Sequence, residues 1–340
     1  MINIERQTYS LNLKHTFTIA RGSRNQQHIV LIKIKHDGEI GYGEASPSDR
    51  YKENQNSVIK FYDQVDLSNF NDPFLIEDIL NYVEKLAPGN QAAKAGIDIA
   101  LYDLIGKKLK IPLWKYFGLN PDKTPTTSFT IGIDSPEIIE NKIKEAEEFP
   151  ILKVKVGVPN DEEIIKTIRK YTDKTLRVDA NEGWKSKELA RDKILFLEKE
   201  GVEFVEQPMP AEDVEGIKWL RKQIHIPIIA DEAMGTISDI LKVYELYDGI
   251  NIKLMKCGGI NKALKIIHAA KAMNLKIMIG CMVESSVGIA AAAQLSPLVD
   301  YADLDGNILI NNDPFTGIYH HKGKIILSNE PGLGIQPCQI

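Results

Sequence analysis

From about Thr126 onward the chain repeats one unit, a short β-branched apolar run followed by an amphipathic helical pattern. The runs are TSFTIGI, ILKVKVG, TLRVDAN, EFVEQP, PIIADE, GINIKLMK, KIMIGCM and YADLDG. Several of the stretches between them, such as DEEIIKTIRKY and NKALKIIHAAKAM, open on Ser, Asp or Asn, as capped helices do. Strands separated by helices pair in parallel, and this number of them closes into a barrel. No full helix follows the last run, so the expected class is α/β, a (β/α)7β TIM-type barrel with an α+β capping domain. The cap is expected over residues 1–120, from antiparallel strands INIERQTYSLNL, HIVLIKIKH and EIGYGEAS followed by helices, Gln91 to Lys108 being the strongest. His15 to Gln27 reads as a loop between the first two strands, and Asp37-Gly38 as a hairpin turn. Residues 121–310 form the barrel carrying the active site, and 311–340 return to the cap.

Composition narrows the partners. A formal net charge of −5 gives no reason to expect nucleic acid or an anionic membrane. No apolar run approaches the ~20 residues of a membrane helix. The N-terminus lacks the apolar core of a signal peptide. Three cysteines without metal-type spacing fit a reducing compartment, so a cytoplasmic location is expected.

Barrel enzymes keep their chemistry at the C-terminal ends of the strands. Here those ends read Lys153 and Lys155, Asp179 and Asn181, Glu206, Asp231 and Glu232, Lys256, then Asp303 and Asp305. Lys155, Asp179, Glu206, Asp231 and Lys256 follow one another at intervals of 24, 27, 25 and 25 residues, one strand–helix unit each. Three carboxylates, Asp179, Glu206 and Asp231, would then converge at one rim, where they repel unless a cation sits among them. Oxygen ligands without His or Cys select a hard divalent ion, Mg²⁺ first. Lys153 and Lys155 share a strand face in a closed interior, and mutual repulsion with desolvation should lower their pKa toward neutrality. Asn181 shares the face of Asp179 and supports it, whereas Glu232 points the other way by parity and reads as structural. Asp303 and Asp305 share a face, as an acidic turn or a site. A carboxylate substrate on the metal would have its α-carbon between Lys155 and Lys256, with Lys153 and the metal stabilising an enediolate. One lysine removes the α-proton and the other returns a proton to the opposite face, which is epimerisation or racemisation.

Lys-Val-Lys, Asp-Ala-Asn, Val-Glu-Gln-Pro, Ala-Asp-Glu and Asn-Ile-Lys-Leu-Met-Lys-Cys-Gly-Gly together resemble the muconate-lactonising subgroup of the enolase superfamily, and Gly41-Tyr42-Gly43-Glu44 resembles its capping-domain GxGE segment. The resemblance implies one Mg²⁺ per subunit and a homo-oligomer. It places the strand-six base at Lys256 and gives Lys253 a supporting role. Asp303-Leu304-Asp305 resembles the dipeptide epimerases, where this pair binds the α-ammonium of the first substrate residue. The activity implied is inversion of the second residue of L-Ala-L-Xaa type dipeptides. Arg21 resembles the arginine that meets a glutamate side chain, and Arg24 lies nearby, with Xaa left open between acidic and hydrophobic or aromatic. Two alternatives share the metal and both lysines or fall outside catalysis: an o-succinylbenzoate synthase or N-succinylamino acid racemase, which needs no ammonium pocket, and a lapsed barrel that only binds.

Overall fold

A computed structural model describes residues 1–338. Eight parallel strands form one sheet: Phe129–Ile131, Ile151–Lys155, Thr175–Asp179, Val202–Glu206, Ile228–Ala230, Gly249–Lys253, Lys276–Gly280 and Tyr301–Asp303. Each pairs with its neighbour in sequence order, and they are called barrel strands one to eight below. Strands one and eight meet at a parallel bridge from Thr127 to Ala302. There Leu304 N donates to the Thr127 hydroxyl at 2.7 Å and Ser128 N donates to Ala302 O at 3.3 Å. That seam closes the sheet, so no strand edge is left to template aggregation.

Strand parity divides the barrel side chains into two layers. Leu152, Val154, Leu176, Val178, Ile250, Ile252, Ile277 and Ile279 belong to the main core. Phe204, Ile229 and Met278 form a separate apolar cluster with Tyr301 against it. Arg177 stacks on the Phe204 and Tyr301 rings at 5.3 and 4.9 Å and donates to Glu203 Oε2 at 2.7 Å. This plug fills part of the barrel beneath the strand ends that carry charge.

The cap is a three-stranded antiparallel sheet, Asn3–Ile19, Gly22–His36 and Glu39–Ala45, covered by the helix Gln91–Leu109. The stretch expected as a loop is instead strand. The first two strands run together to the pair Ile19–Gly22, with an irregularity between Asn12 and Phe17. Alternation of Phe17 and Ile19 with threonines is a strand pattern that the polar flanks obscured. Ala20 and Arg21 form the tip of this long hairpin, which extends to the barrel mouth. The GxGE segment lies on the third strand, within the run EIGYGEAS. A Cβ at Gly41 or Gly43 would lie 2.0 Å from Ala100 O or Gly96 O, so only glycine lets the helix approach this closely.

Glu44 reaches across to the barrel. Its carboxylate accepts from the Ser285 N–H and hydroxyl at the start of the helix Ser286–Ala293. Asp313 does the same for Ser286 N at 3.0 Å. Two acidic groups at one helix N-terminus satisfy otherwise unpaired N–H groups and thereby fasten cap and C-terminal segment to the barrel. Burial nonetheless pushes the Glu44 carboxyl up to about 7, against the Ser285 hydrogen bonds. The C-terminal segment touches both parts of the chain. Asn312 Nδ2 donates to Ser10 O at 2.8 Å, while the hairpin Tyr319–His321 with Lys324–Ile326 lies against Phe149 and Thr126 of the barrel. Among the described residues no helix is long and apolar enough to cross a membrane.

His320 in that hairpin has both ring nitrogens buried without a hydrogen-bond partner, and burial pushes its pKa down to about 4. The unfolded chain binds the proton more readily, so this site's stability is complete above pH ~6.5 and is lost as pH falls toward 4. His320→Phe should remove about 2 kcal/mol of the stability difference between pH 7 and pH 4.5. Urea midpoints at the two pH values check this; an unchanged difference would contradict it.

Candidate active site

Three consecutive strands deliver the acids. Lys155, Asp179 and Glu206 are Cα partners across strands two, three and four, and so stand at one level of the barrel. Asp231 follows strand five directly. One carboxylate oxygen from each of Asp179, Glu206 and Asp231 lies within 4.8 Å of the other two, and all three residues are buried. The chain spends strain to hold them. Asn181, Glu182 and Gln207, just past strands three and four, have φ of 44°, 64° and 37°. In return Asn181 N donates to Asp179 Oδ1 at 2.9 Å, and the Gln207 side chain accepts from Asp231 N at 3.0 Å. Asn251 Nδ2 donates to Glu206 Oε1 at 2.7 Å, and Gly280 leaves room for that amide, since a Cβ there would lie 2.6 Å from it. This donor set of carboxylate oxygens fits a hard divalent cation.

The ammonium groups interleave with the acids. Lys153 Nζ lies 2.6 Å from Asp303 Oδ2, 2.6 Å from Glu206 Oε2 and 3.2 Å from Asp179 Oδ2. Its approach to Glu206 Oε2 is an ion pair without hydrogen-bond alignment. Lys155 Nζ donates to Asp179 Oδ2 at 2.6 Å, beneath the Phe17 ring 6.0 Å away. The expected fall in lysine pKa does not hold at Lys153. Burial lowers it, but Asp303, Glu206 and Asp179 more than offset this and raise it well above the usual value. For Asp179, burial raises the pKa and the Lys155 and Lys153 charges drive it below the usual range. Glu206 is pushed up to about 7, by burial first and then by the Asp179 charge.

Strand six places its two candidate lysines differently. The strand ends on Lys253, whose Nζ donates to Asp231 Oδ2 at 2.9 Å and lines the cavity at the barrel mouth. Lys256 belongs to the short helix Leu254–Cys257. Its Nζ donates to Asp231 Oδ1 and Asp231 O at 2.5 Å each and to Asn251 O at 3.1 Å. It is not part of the cavity lining. Three acceptors hold this ammonium behind Asp231, so Lys253 is the amine facing Lys155 across the acids. Parity along the strand, with Asn251 and Lys253 on one face, carried this signal.

The cavity, about 80 Å³, is lined from the barrel by Lys153, Lys155, Asp231, Lys253, Asp303 and Asp305, and from the cap by Phe17, Arg24 and Tyr51 among others. Asp303 Oδ1 accepts from the Ser128 hydroxyl at 2.7 Å, and Asp305 Oδ2 accepts from Thr130 N at 2.6 Å. Burial and the Asp303 charge push Asp305 up to about 6. Arg21 reaches the mouth but its charge is engaged: Nη1 donates to Glu232 Oε1 at 2.6 Å and to Asn181 O at 2.8 Å. Glu232, read from parity as structural, is thus a buried cavity residue that holds the hairpin tip to the barrel. The residue follows the strand end, where period-two parity no longer applies. Arg24 donates to Gln27 Oε1 at 2.6 Å and forms no ion pair among the described residues.

Residues 139–339 match the enolase C-terminal domain-like family, and residues 2–118 match the mandelate racemase / muconate lactonizing enzyme N-terminal domain. The chain belongs to this family. Among its relatives, the L-Ala-D/L-Glu epimerase of Bacteroides thetaiotaomicron is 48% identical over 328 residues, covering 96% of this chain and 86% of that one. The dipeptide epimerase of Enterococcus faecalis, solved with Mg and L-Leu-L-Tyr, superposes with a TM-score of 0.90 at 35% identity, covering 98% of each chain. A substrate-liganded L-Ala-D/L-Glu epimerase from Bacillus subtilis gives a TM-score of 0.92 at 31% identity, covering 99% of each. The three convergent carboxylates could hold a divalent ion, and the Enterococcus faecalis relative was solved with Mg. Mg²⁺ at a hundredfold over its Kd should therefore stabilise the protein by about 2.7 kcal/mol, seen as a rise in Tm. The rise should vanish in Asp231→Asn; a rise of equal size in that variant would contradict the assignment.

Proposed function

We propose that this protein is a Mg²⁺-dependent dipeptide epimerase that inverts the α-carbon of the second residue of L-Ala-L-Xaa type dipeptides, with glutamate as the favoured Xaa. The observation that carries the reading is the placement of Lys155 and Lys253 on strands two and six, with the acids between them and a second pair of aspartates nearby. Asp179, Glu206 and Asp231 hold the metal, which when bound supplies Lewis-acid stabilisation to the substrate α-carboxylate as its α-proton leaves. Lys153, fixed among three carboxylates, stays protonated and donates to the same carboxylate. Lys155 and Lys253 exchange the α-proton from opposite faces of the α-carbon. Lys256 fixes the Asp231 carboxylate and is a positioning residue rather than a base.

Asp303 and Asp305 take the α-ammonium of the first residue, oriented by Ser128, just before strand one, and by Thr130 within it. This favours a dipeptide over an N-succinyl amino acid, whose acyl carboxylate would meet two like charges. Arg24, a cation with no carboxylate partner at the cavity edge, suits an acidic second side chain. The 48% identical relative is an L-Ala-D/L-Glu epimerase by name, which points the same way.

Proton transfer by a positioned base contributes about 10²- to 10⁴-fold. Lys253→Met should therefore lower epimerisation at least a hundredfold yet keep α-deuterium exchange from the one epimer that Lys155 deprotonates. Lys256→Met should retain turnover, reduced on the order of tenfold, as expected when one charged hydrogen bond to Asp231 is removed. Rates of L-Ala-L-Glu and L-Ala-D-Glu in D₂O measure both. Loss of all exchange in Lys256→Met with activity kept in Lys253→Met would reverse the two roles. Asp303→Asn should lower kcat/KM for dipeptides by about ten- to a hundredfold, the scale of one charged contact. A variant at wild-type activity would favour the N-succinyl substrates.

A further inference from the structure

A second cavity of about 700 Å³ opens off the active site on the cap side. The two share Ile19, Arg21, Arg24, Gln27, Pro47 and Ser48 as lining. The inner cavity is about 80 Å³ and the outer one about 700 Å³, a volume that takes ligands of drug size, so most of the open space lies beyond the inner site. Its chemistry is polar. Arg24 at the junction pairs with no carboxylate, and the exposed Asp49 in the same cavity pairs with no cation among the described residues. Arg21 and Arg50, by contrast, are spent on Glu232 and Glu182.

The inner site determines which way a larger substrate can grow. On the epimerase reading above, on which this inference rests, the α-carboxylate of the second residue goes to the metal and Lys153. The ammonium of the first goes to Asp303 and Asp305. An α-linked residue added at either end would remove one of those charges, so extension keeps both contacts only through the second side chain. That side chain is the one directed toward Arg24 and the outer cavity. We infer that the enzyme acts on side-chain-extended dipeptides: L-Ala-Glu whose side-chain carboxyl is amide-linked to an amino acid bearing a free carboxylate and a free amine. Arg24 takes the added carboxylate and Asp49 the added amine, each a charge-assisted contact.

Two probes test this with the Mg²⁺-loaded enzyme in D₂O: L-Ala-D-Glu, and the same dipeptide carrying L-lysine linked through its α-amine to the glutamate side-chain carboxyl. Deuterium at the glutamyl α-carbon is the readout. The extended compound should exchange with a kcat/KM equal to or above that of the dipeptide. Asn56→Trp, at the rim of the outer cavity, should lower the extended compound's kcat/KM tenfold or more and leave the dipeptide within twofold. Exchange of the dipeptide with the extended compound tenfold or more slower would overturn the inference and leave the epimerase reading standing. An equal loss on both compounds in Asn56→Trp would also overturn it. Exchange in neither compound would remove the reading and the inference together.

Discussion

Everything at this barrel mouth depends on opposite charges alternating at hydrogen-bond distance inside a buried space. Asp179, Glu206 and Asp231 come within 4.8 Å of one another where burial alone would protonate them. Lys153, Lys155, Lys253 and Lys256 are placed between and behind them. Removing either sign would leave the other buried and unpaired, at a cost of several kcal/mol per ion. The acids therefore need the amines to fold and a cation to work, and the amines are aimed by the acids.

The cap serves the same arrangement from above. Gly41 and Gly43 let the helix Gln91–Leu109 lie directly on the sheet, and Glu44 binds the start of the helix that follows strand seven. The hairpin tip is fixed to the strand-three and strand-five ends by Arg21, while Arg50 donates to Glu182 through two hydrogen bonds of 2.8 Å each. Cap and barrel thus meet through ion pairs at loop ends, the place where substrate-specific chemistry varies while the strands below stay fixed.

Much of this was legible in the sequence because periodicity reports burial. Seven of the eight barrel strands fall within the apolar runs and the other starts one residue early, at Val202; the spacing of Lys155, Asp179, Glu206 and Asp231 brought them to one rim. What the sequence left open lies where a strand stops. Lys253 and Lys256 both follow Asn251, and only the change from strand to helix at Leu254 decides which amine faces the cavity. Glu232 lies one residue past Asp231, beyond the reach of parity, and its role depends on Arg21, distant in sequence. At Lys153 the neighbouring amine on its own strand is visible in the sequence, whereas the three carboxylates that raise its pKa come from strands three, four and eight.

The most direct test is a crystal structure with Mg²⁺ and L-Ala-L-Glu bound. The account predicts one ion held by Asp179, Glu206 and Asp231, with the substrate α-carbon between the Nζ atoms of Lys155 and Lys253 and Lys256 still behind Asp231. An ion held elsewhere, or an α-carbon flanked by Lys256 in place of Lys253, would contradict it.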